Sequence, residues 1–180
     1  MRIEATPLDG LVLIHTKVWP DDRGWFYESY NIDRFKALGI DTTFVQDNHS
    51  KSVKNTLRGL HFQTSPGQAK LVRCTQGRIW DVAVDIRPQS STFGKWHAVE
   101  LDDQSKAMFL IPVGFAHGFC VLSETAEVQY KCSSVYNGAT EAGIAWDDPE
   151  FAVAWPVPEP LLSARDLGNQ SFATYRKNLG

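Results

Sequence analysis

Alternation of apolar and polar residues with a period of two constrains this chain more than any other feature of its sequence. In residues 80–86, every second residue from Trp80 is apolar, whereas Asp81 and Asp85 fall on the opposite face. This pattern predicts a strand that is buried on one side. Similar strand-like runs, separated by short clusters of Gly, Pro, Ser, Asp or Asn, occupy residues 70–75, 96–101, 107–111, 118–122 and 126–135. Many short strands at such spacing predict a sandwich or barrel of jelly-roll type.

Helical patterns are few and short. Residues 31–39 fit one helix, because Asn31 can cap its start and Gly39 can end it. Residues 155–160 carry three prolines, which a central strand does not tolerate. We predict an extended crossing there, and a C-terminal tail, about 156–180, that packs on the barrel with one helical turn near Ser163.

Composition and charge exclude several classes of protein. The chain has 180 residues, which fits one domain, 1–180, and its net charge of −3 gives no global reason to bind nucleic acid or an anionic membrane. Three cysteines are an odd number without paired spacing, so a disulfide framework is not indicated and a reducing compartment is expected. The sequence contains no run of about 18 apolar residues, so no membrane span is predicted. We therefore predict a cytoplasmic protein that binds neither nucleic acid nor membrane.

Reactive and basic side chains concentrate in residues 46–50, 57–63, 68–70, 112–119 and 130–131. The Pro-x-Gly-x-x-His pattern that ends at His117 is typical of the cupin type of jelly roll, in which the turn presents a histidine inward. By analogy with that fold, we expect His61 and His117 to face one cavity. The predicted fold class is all-β: a cupin-like jelly roll, an antiparallel double-sheet barrel, with a few short helices.

The spacing around His61 argues against a metal site. Metal-binding cupins usually supply His-x-His and then Glu three or four residues later. Here Gln63 stands in place of the second histidine, and residues 64–68 contain no glutamate. Two ligands out of four are too few for a stable transition-metal site, so no metal is predicted.

His61 and Tyr130 can each be interpreted in two ways. A lone histidine in a barrel is often a hydrogen-bonded core residue, but Arg58 and Lys70 lie close to His61 in the sequence. Alternation places Tyr130 on the inward face of its strand, where a core tyrosine is the simpler interpretation. A base, a cation and an acid in one cavity would instead suit proton transfer next to a carbonyl group.

Several motifs, in this order, closely resemble the dTDP-4-dehydrorhamnose 3,5-epimerase family, and the likeness runs from about residue 21 to 166. They are Gln-Asp-Asn-His-Ser at 46–50, Leu-Arg-Gly-Leu-His-Phe-Gln at 57–63, Lys-Leu-Val at 70–72, Gly-Lys-Trp at 94–96, Ile-Pro-Val-Gly-Phe-Ala-His-Gly-Phe at 111–119, Tyr-Lys at 130–131 and Ile-Ala-Trp-Asp-Asp at 144–148. The resemblance implies a homodimeric epimerase that needs no metal and no cofactor. Its substrate would be dTDP-4-keto-6-deoxy-D-glucose, inverted at C3 and C5 to dTDP-4-keto-L-rhamnose, a precursor of dTDP-L-rhamnose.

The resemblance also implies roles for individual residues. His61 would be the base and Tyr130 the acid, with Lys70 beside the C4 oxygen of the sugar. Asp166, in a motif with variable neighbours, would orient His61. It further implies that Arg23 and Glu28 belong to an arm that reaches a nucleotide across the dimer, and that Gln46 and Asn48 line the site. Arg58, His117 and Arg165 would contact the diphosphate or the sugar. Tyr136 would stack on thymine, with Glu141 nearby.

Three alternatives to double inversion follow from the same residues. A relative that inverts only C3 or only C5 would need the same base and acid. A non-catalytic cupin that binds a sugar nucleotide would have no chemical need for the set of base, acid, cation and orienting carboxylate. A metal-dependent cupin fails on the ligand count.

Overall fold

The computed structural model describes residues 1–179; Gly180, the last residue of the predicted domain and tail, lies outside them. Thirteen strands and three helices follow one another along this described part of the chain. In chain order they are β1 (Arg2–Ala5), β2 (Val12–His15), β3 (Val18–Asp21), β4 (Gly24–Tyr27), α1 (Ile32–Ala37), β5 (Gln46–Val53), β6 (Leu57–Gln63), β7 (Lys70–Gln76), β8 (Arg78–Asp85), β9 (Trp96–Asp102), β10 (Met108–Ile111), β11 (Phe115–Val121), β12 (Thr125–Cys132), β13 (Glu141–Gly143), α2 (Ala164–Leu167) and α3 (Phe172–Lys177).

Two antiparallel sheets form the barrel. One has six strands in the order β1-β2-β10-β7-β12-β5, the other has five in the order β13-β6-β11-β8-β9, and β3 and β4 form a separate two-stranded ribbon. The central core lies between the two large sheets, where Val72 and Phe109 of the first meet Ile79 and Val121 of the second. The predicted all-β, double-sheet jelly roll with a few short helices is confirmed.

Strand β8 corrects the prediction of a strand buried on one side. Asp81 and Asp85 are fully buried, and so is Val82 on the opposite face. The apolar face, with Val82 and Val84, packs against Phe151 and Phe172 of the C-terminal region. The acidic face therefore points toward the interior of the barrel, because the tail covers the face that the apolar residues occupy.

The C-terminal tail is fixed to the barrel by backbone hydrogen bonds on both sides of α2. The Leu57 N–H donates to the Leu161 carbonyl over 3.0 Å, and the Ala145 N–H donates to the Gln170 carbonyl over 2.8 Å. The proline-rich segment contains no strand, as predicted. Ser163 caps α2, which confirms the predicted helical turn.

Some elements differ from the sequence-based predictions. Helix α1 begins after its cap, Asn31, as expected. Helix α3 was not predicted, nor were the four N-terminal strands, which are only four residues long each. Strand β11 begins three residues earlier than predicted and β12 ends three residues earlier. In the described chain, no helix has both the length and the apolar character needed to cross a membrane.

Gly77, at the turn between β7 and β8, gives a test of this packing. Its φ is +78°, and a Cβ there would lie 2.2 Å from the Thr125 carbonyl oxygen. Gly39 has a similar φ of +81° with nothing within 4 Å of a Cβ. We expect Gly39→Ala to cost about 1 to 2 kcal/mol of unfolding free energy from backbone strain alone. Gly77→Ala should cost about 1 to 3 kcal/mol more, because a carbonyl must also move.

Urea unfolding followed by circular dichroism measures both free energies. Equal losses in the two variants would contradict the close packing of this turn against β12.

Candidate active site

A cavity of about 300 Å³ opens between the two sheets, beneath the C-terminal tail. Both sheets and α2 with its cap contribute to the wall. The lining residues are Ser50, Arg58, His61, Lys70, His117, Phe119, Tyr130, Glu141, Ser163, Arg165 and Asp166. The structure thus brings eight of the thirteen predicted site residues to one cavity.

His61 and Asp166 are in direct hydrogen-bond contact in this cavity. Nε2 of the imidazole lies 2.6 Å from Oδ1 of Asp166. Ser163 Oγ donates to the other carboxylate oxygen over 2.6 Å, and the Gly59 N–H donates to Oδ1 over 3.3 Å. Burial opposes ionisation of Asp166, but the hydrogen bonds from His61 and Ser163 prevail and hold its pKa at about 2.

The ionised carboxylate determines the tautomer of His61. Because Asp166 can only accept hydrogen bonds, Nε2 of His61 carries a proton, and the free lone pair is at Nδ1. The imidazole thus offers an unprotonated nitrogen, Nδ1, that can accept a proton, while Asp166 fixes the ring through Nε2.

The close approach of β6 and β11 brings His61 next to His117, which pairs with it in the register of the two strands. Gly59 has φ +138°, and a Cβ there would lie 2.5 Å from the Cα of Gly118. Glycine at 59 therefore permits the separation that aligns the two histidines. The expectation that both face one cavity is confirmed.

His117 is buried and lies 2.9 Å and 3.0 Å from the two carboxylate oxygens of Asp81. Burial lowers the pKa of His117 despite the opposing effect of Asp81, so its imidazole is neutral at neutral pH. Sequence reasoning missed Asp81, because its alternation with apolar residues suggested a solvent-facing position. The sequence of β8 holds no signal that could have found it, because the outer face of this strand is covered by a later segment of the chain.

Lys70 is a buried cation beside this pair. Its Nζ donates to the backbone carbonyl of His61 over 3.4 Å, and its side chain is 9% exposed. Burial lowers the pKa of Lys70. An anionic oxygen entering the cavity would offset this desolvation.

Tyr130 lies on the wall contributed by β12. Its neighbours at alternate positions, Ala126, Val128 and Cys132, are buried, which confirms the inward face predicted for this strand. Burial raises the pKa of Tyr130, so its hydroxyl remains protonated at neutral pH and can donate a proton. Asn48 of β5 pairs with Tyr130 in register.

The mouth of the cavity carries a connected polar network. Tyr136, whose ring is more than half exposed, donates from its hydroxyl to Glu141 over 2.8 Å, and Glu141 pairs with Arg165 over 2.6 Å. Burial opposes the ionisation of Glu141, but the hydrogen bond from Arg165 lowers its pKa overall. Gln46 accepts from the Tyr136 N–H over 2.8 Å and donates to Asn48 over 3.0 Å.

Two predicted binding residues lie elsewhere. Arg23, at the tip of the β3–β4 ribbon, pairs with Asp21 over 2.6 Å, and its side chain is 90% exposed. Glu28 pairs with Arg34 of α1 over 3.2 Å. The single chain therefore does not bring Arg23 or Glu28 to the cavity, whereas Arg58 does line it and bonds to Ser52.

Residues 1–179 contain no group of three or more His, Cys, Asp or Glu side chains arranged to hold a metal ion. Gln63, at the position of the absent second histidine, accepts a hydrogen bond from the Thr140 hydroxyl over 3.0 Å.

Comparisons with known proteins agree with this geometry. Residues 5–174 match the family model described as dTDP-4-dehydrorhamnose 3,5-epimerase. The enzyme of that name from Escherichia coli K12 is 50% identical over 169 residues, covering 92% of this chain and 91% of its own length. A relative from Streptomyces niveus, named dTDP-4-dehydrorhamnose 3-epimerase, is 42% identical over 168 residues, covering 92% and 81%.

Among solved structures, the dTDP-6-deoxy-D-glucose-3,5-epimerase of Legionella pneumophila, in complex with dTDP-4-keto-L-rhamnose, superposes with a TM-score of 0.95. Its sequence is 44% identical, and the match covers 99% of this chain and 96% of the other. With these likenesses over nearly its whole length, the chain belongs to the dTDP-4-dehydrorhamnose 3,5-epimerase family, whose members are isomerases that act on carbohydrates.

Proposed function

We propose that this protein inverts C3 and C5 of dTDP-4-keto-6-deoxy-D-glucose to give dTDP-4-keto-L-rhamnose in dTDP-L-rhamnose biosynthesis. The observation that carries the proposal is the 2.6 Å contact between His61 and Asp166, in the same cavity as Lys70 and Tyr130. This set contains a base with its orienting carboxylate, a cation and an acid. Family membership supports the same reaction.

The first step is removal of a proton next to the ketone. The C4 carbonyl acidifies the hydrogens on C3 and C5, so one base can act on both carbons in succession. His61 accepts the proton at Nδ1, and Asp166 stabilises the imidazolium that forms. The low pKa of Asp166 supports this role, because the carboxylate stays ionised throughout the reaction.

The second step requires a cation at the enolate and an acid on the other face. Lys70 donates to the oxygen on C4 as negative charge develops there, which also balances the cost of burying the ammonium group. Tyr130 then donates its hydroxyl proton to the carbon from the face opposite His61, so the configuration inverts. The imidazolium releases its proton to solvent and the tyrosinate takes one up, which restores the base and the acid for the second carbon. The raised pKa of Tyr130 keeps the hydroxyl protonated until the enolate forms.

The polar network at the mouth fits the remainder of the substrate. Tyr136 offers an exposed ring on which thymine stacks, and Arg165 offers a planar guanidinium for the diphosphate. Glu141 holds both side chains by hydrogen bonds. Arg58 adds a second guanidinium, and His117 a neutral imidazole, on the cavity wall.

We further propose a cytoplasmic homodimer, in which the ribbon of one protomer extends to its partner. The ribbon exposes Trp19, Trp25 and Phe26, with the Phe26 side chain 68% exposed, and such an apolar patch is typical of an interface. This arrangement would carry Arg23 and Glu28 to the partner's nucleotide. No metal or cofactor takes part in the proposed mechanism.

Labelling in heavy water tests the reaction itself. The wild-type protein should place solvent deuterium at both C3 and C5 of the product, which mass spectrometry of the recovered sugar nucleotide detects. Tyr130→Phe keeps His61 and Lys70, so it should exchange label into uninverted substrate while product formation falls by about 100-fold or more. His61→Ala should show neither exchange nor product.

Label at one carbon only in the wild-type product would make the protein a mono-epimerase, the function in the name of the Streptomyces niveus relative. Absence of exchange in Tyr130→Phe would mean that Tyr130 acts before the enolate forms.

Asp166→Asn tests the orienting carboxylate. An amide can donate to Nε2 and so stabilises the wrong tautomer of His61, and we expect kcat to fall on the order of 100- to 10,000-fold. The affinity for dTDP should be unchanged, because Asp166 bonds to His61, Ser163 and Gly59 rather than to the nucleotide site. Asp33→Asn, in the first turn of α1, is the control for the same substitution on the surface. A loss of dTDP affinity with unchanged kcat would contradict the role.

Tyr136→Ala tests the stacking platform. Stacking of a base on an aromatic ring contributes about 1 to 3 kcal/mol, so calorimetry should show weaker binding of dTDP by roughly that amount. Tyr136→Phe is the control, since it keeps the ring but loses the hydrogen bond to Glu141. Equal affinity of the wild-type and Ala proteins for dTDP would place the nucleotide elsewhere.

A further inference from the structure

One side chain on the cavity wall stands apart from all the others. Phe119 is the only lining residue, within the described chain, whose side chain is purely hydrocarbon; the other ten carry hydroxyl, carboxyl, imidazole, ammonium or guanidinium groups. It lies on β11 two residues after His117, and the two ring centroids are 6.4 Å apart. Phe119 as a whole residue is 4% exposed, so it packs mostly in the core, and it also lines the cavity.

The substrate class of the proposed function has one feature that matches this surface. A 6-deoxy sugar carries a methyl group on C5, whereas its ring oxygens, ketone and hydroxyls all require polar partners. The polar lining can serve those oxygens, but a methyl group placed against charged side chains would hinder their hydration without any gain. Phe119 is the one side chain of the described wall that has no polar group, so a methyl group can cover it without removing water from a polar partner.

We propose that Phe119 contacts the C6 methyl group and selects 6-deoxy sugar nucleotides over those with a hydroxyl on C6. This inference rests on the proposed function and adds a residue that determines its substrate class. A 6-hydroxyl group facing the phenyl ring would lose its hydrogen bonds to water and find no acceptor there. The contact thus discriminates against the hydroxyl by desolvation as well as favouring the methyl.

The position of Phe119 also relates to the chemistry at C5. The methyl group is bonded to C5, one of the two carbons that invert, and Tyr130 packs against the same core cluster as Phe119. A fixed apolar contact at C6 therefore helps to hold C5 between the base and the acid.

Binding of two unreactive analogues tests the proposal without any turnover. Both dTDP-6-deoxy-D-glucose and dTDP-D-glucose lack the C4 ketone, so neither can form an enolate, and they differ only at C6. Calorimetry should show that the wild-type protein binds the 6-deoxy analogue about 10-fold or more tightly, as expected for one group in an apolar pocket. Phe119→Tyr adds a hydroxyl group to the wall and should reduce this preference to about two-fold or less, because the 6-hydroxyl then has a partner.

Two control variants separate the contact from general effects on the core. Phe119→Leu keeps an apolar wall and should retain a clear preference for the 6-deoxy analogue. Phe109→Leu removes a ring from the same core cluster, away from the cavity, and should leave both affinities unchanged. Thermal unfolding of each variant confirms that it is folded at the temperature of the measurement.

Equal binding of the two analogues by the wild-type protein would overturn the proposal, whatever the variants do. An unchanged preference in folded Phe119→Tyr would overturn it as well. Affinity for dTDP alone and deuterium incorporation report the proposed function separately, so an active epimerase without discrimination at C6 would refute only the role of Phe119. Failure to bind dTDP or either analogue would refute both.

Discussion

The hydrogen bond between His61 and Asp166 joins the barrel to the C-terminal tail, and the arrangement of the site depends on it. The residues are 105 positions apart, one on an inner barrel strand and the other in the C-terminal tail. The carboxylate reaches the imidazole because backbone hydrogen bonds at Leu161 and Gln170 fix the tail on both sides of α2. The Ser163 cap then directs Asp166 inward. The energy that docks the tail, to which the burial of Phe172 contributes, therefore also positions His61.

The parts of the site that lie on regular strands follow from sequence periodicity. Alternation along β12 is sufficient to place Tyr130 with Val128 and Cys132 on the inward face, because successive side chains of a strand point to opposite sides. Asp166 has no such signal. It lies on a single helical turn after an irregular segment, and only the resemblance of its motif to a family suggested that it meets His61. Periodicity predicts faces within an element, whereas contacts between distant elements require the fold.

Strand β8 shows where the same reasoning fails. The alternation separates the two faces of the strand correctly, but the prediction that the acidic face is solvated is wrong. An apolar face can be covered by a later segment of the chain just as well as by the barrel core. Asp81 consequently entered the interior, where His117 is its partner. The sequence of β8 contains no information on this point, because the residues that cover its apolar face, such as Phe172, lie about 90 positions later. They belong to α3, a helix that the sequence does not predict.

The balance of charges at the site explains how a chain with a net charge of −3 can receive an anionic ligand. Each of the three acidic side chains at the site has its own partner: Asp166 bonds to His61, Asp81 to His117, and Glu141 to Arg165. The salt bridges of residues 1–179 leave Lys70 and Arg58 without a carboxylate partner. The three carboxylates are matched by three cations, Lys70, Arg58 and Arg165, so the site carries no excess negative charge although the whole chain does. A diphosphate and a developing enolate respond to the nearby field, which low-dielectric walls concentrate, rather than to the net charge.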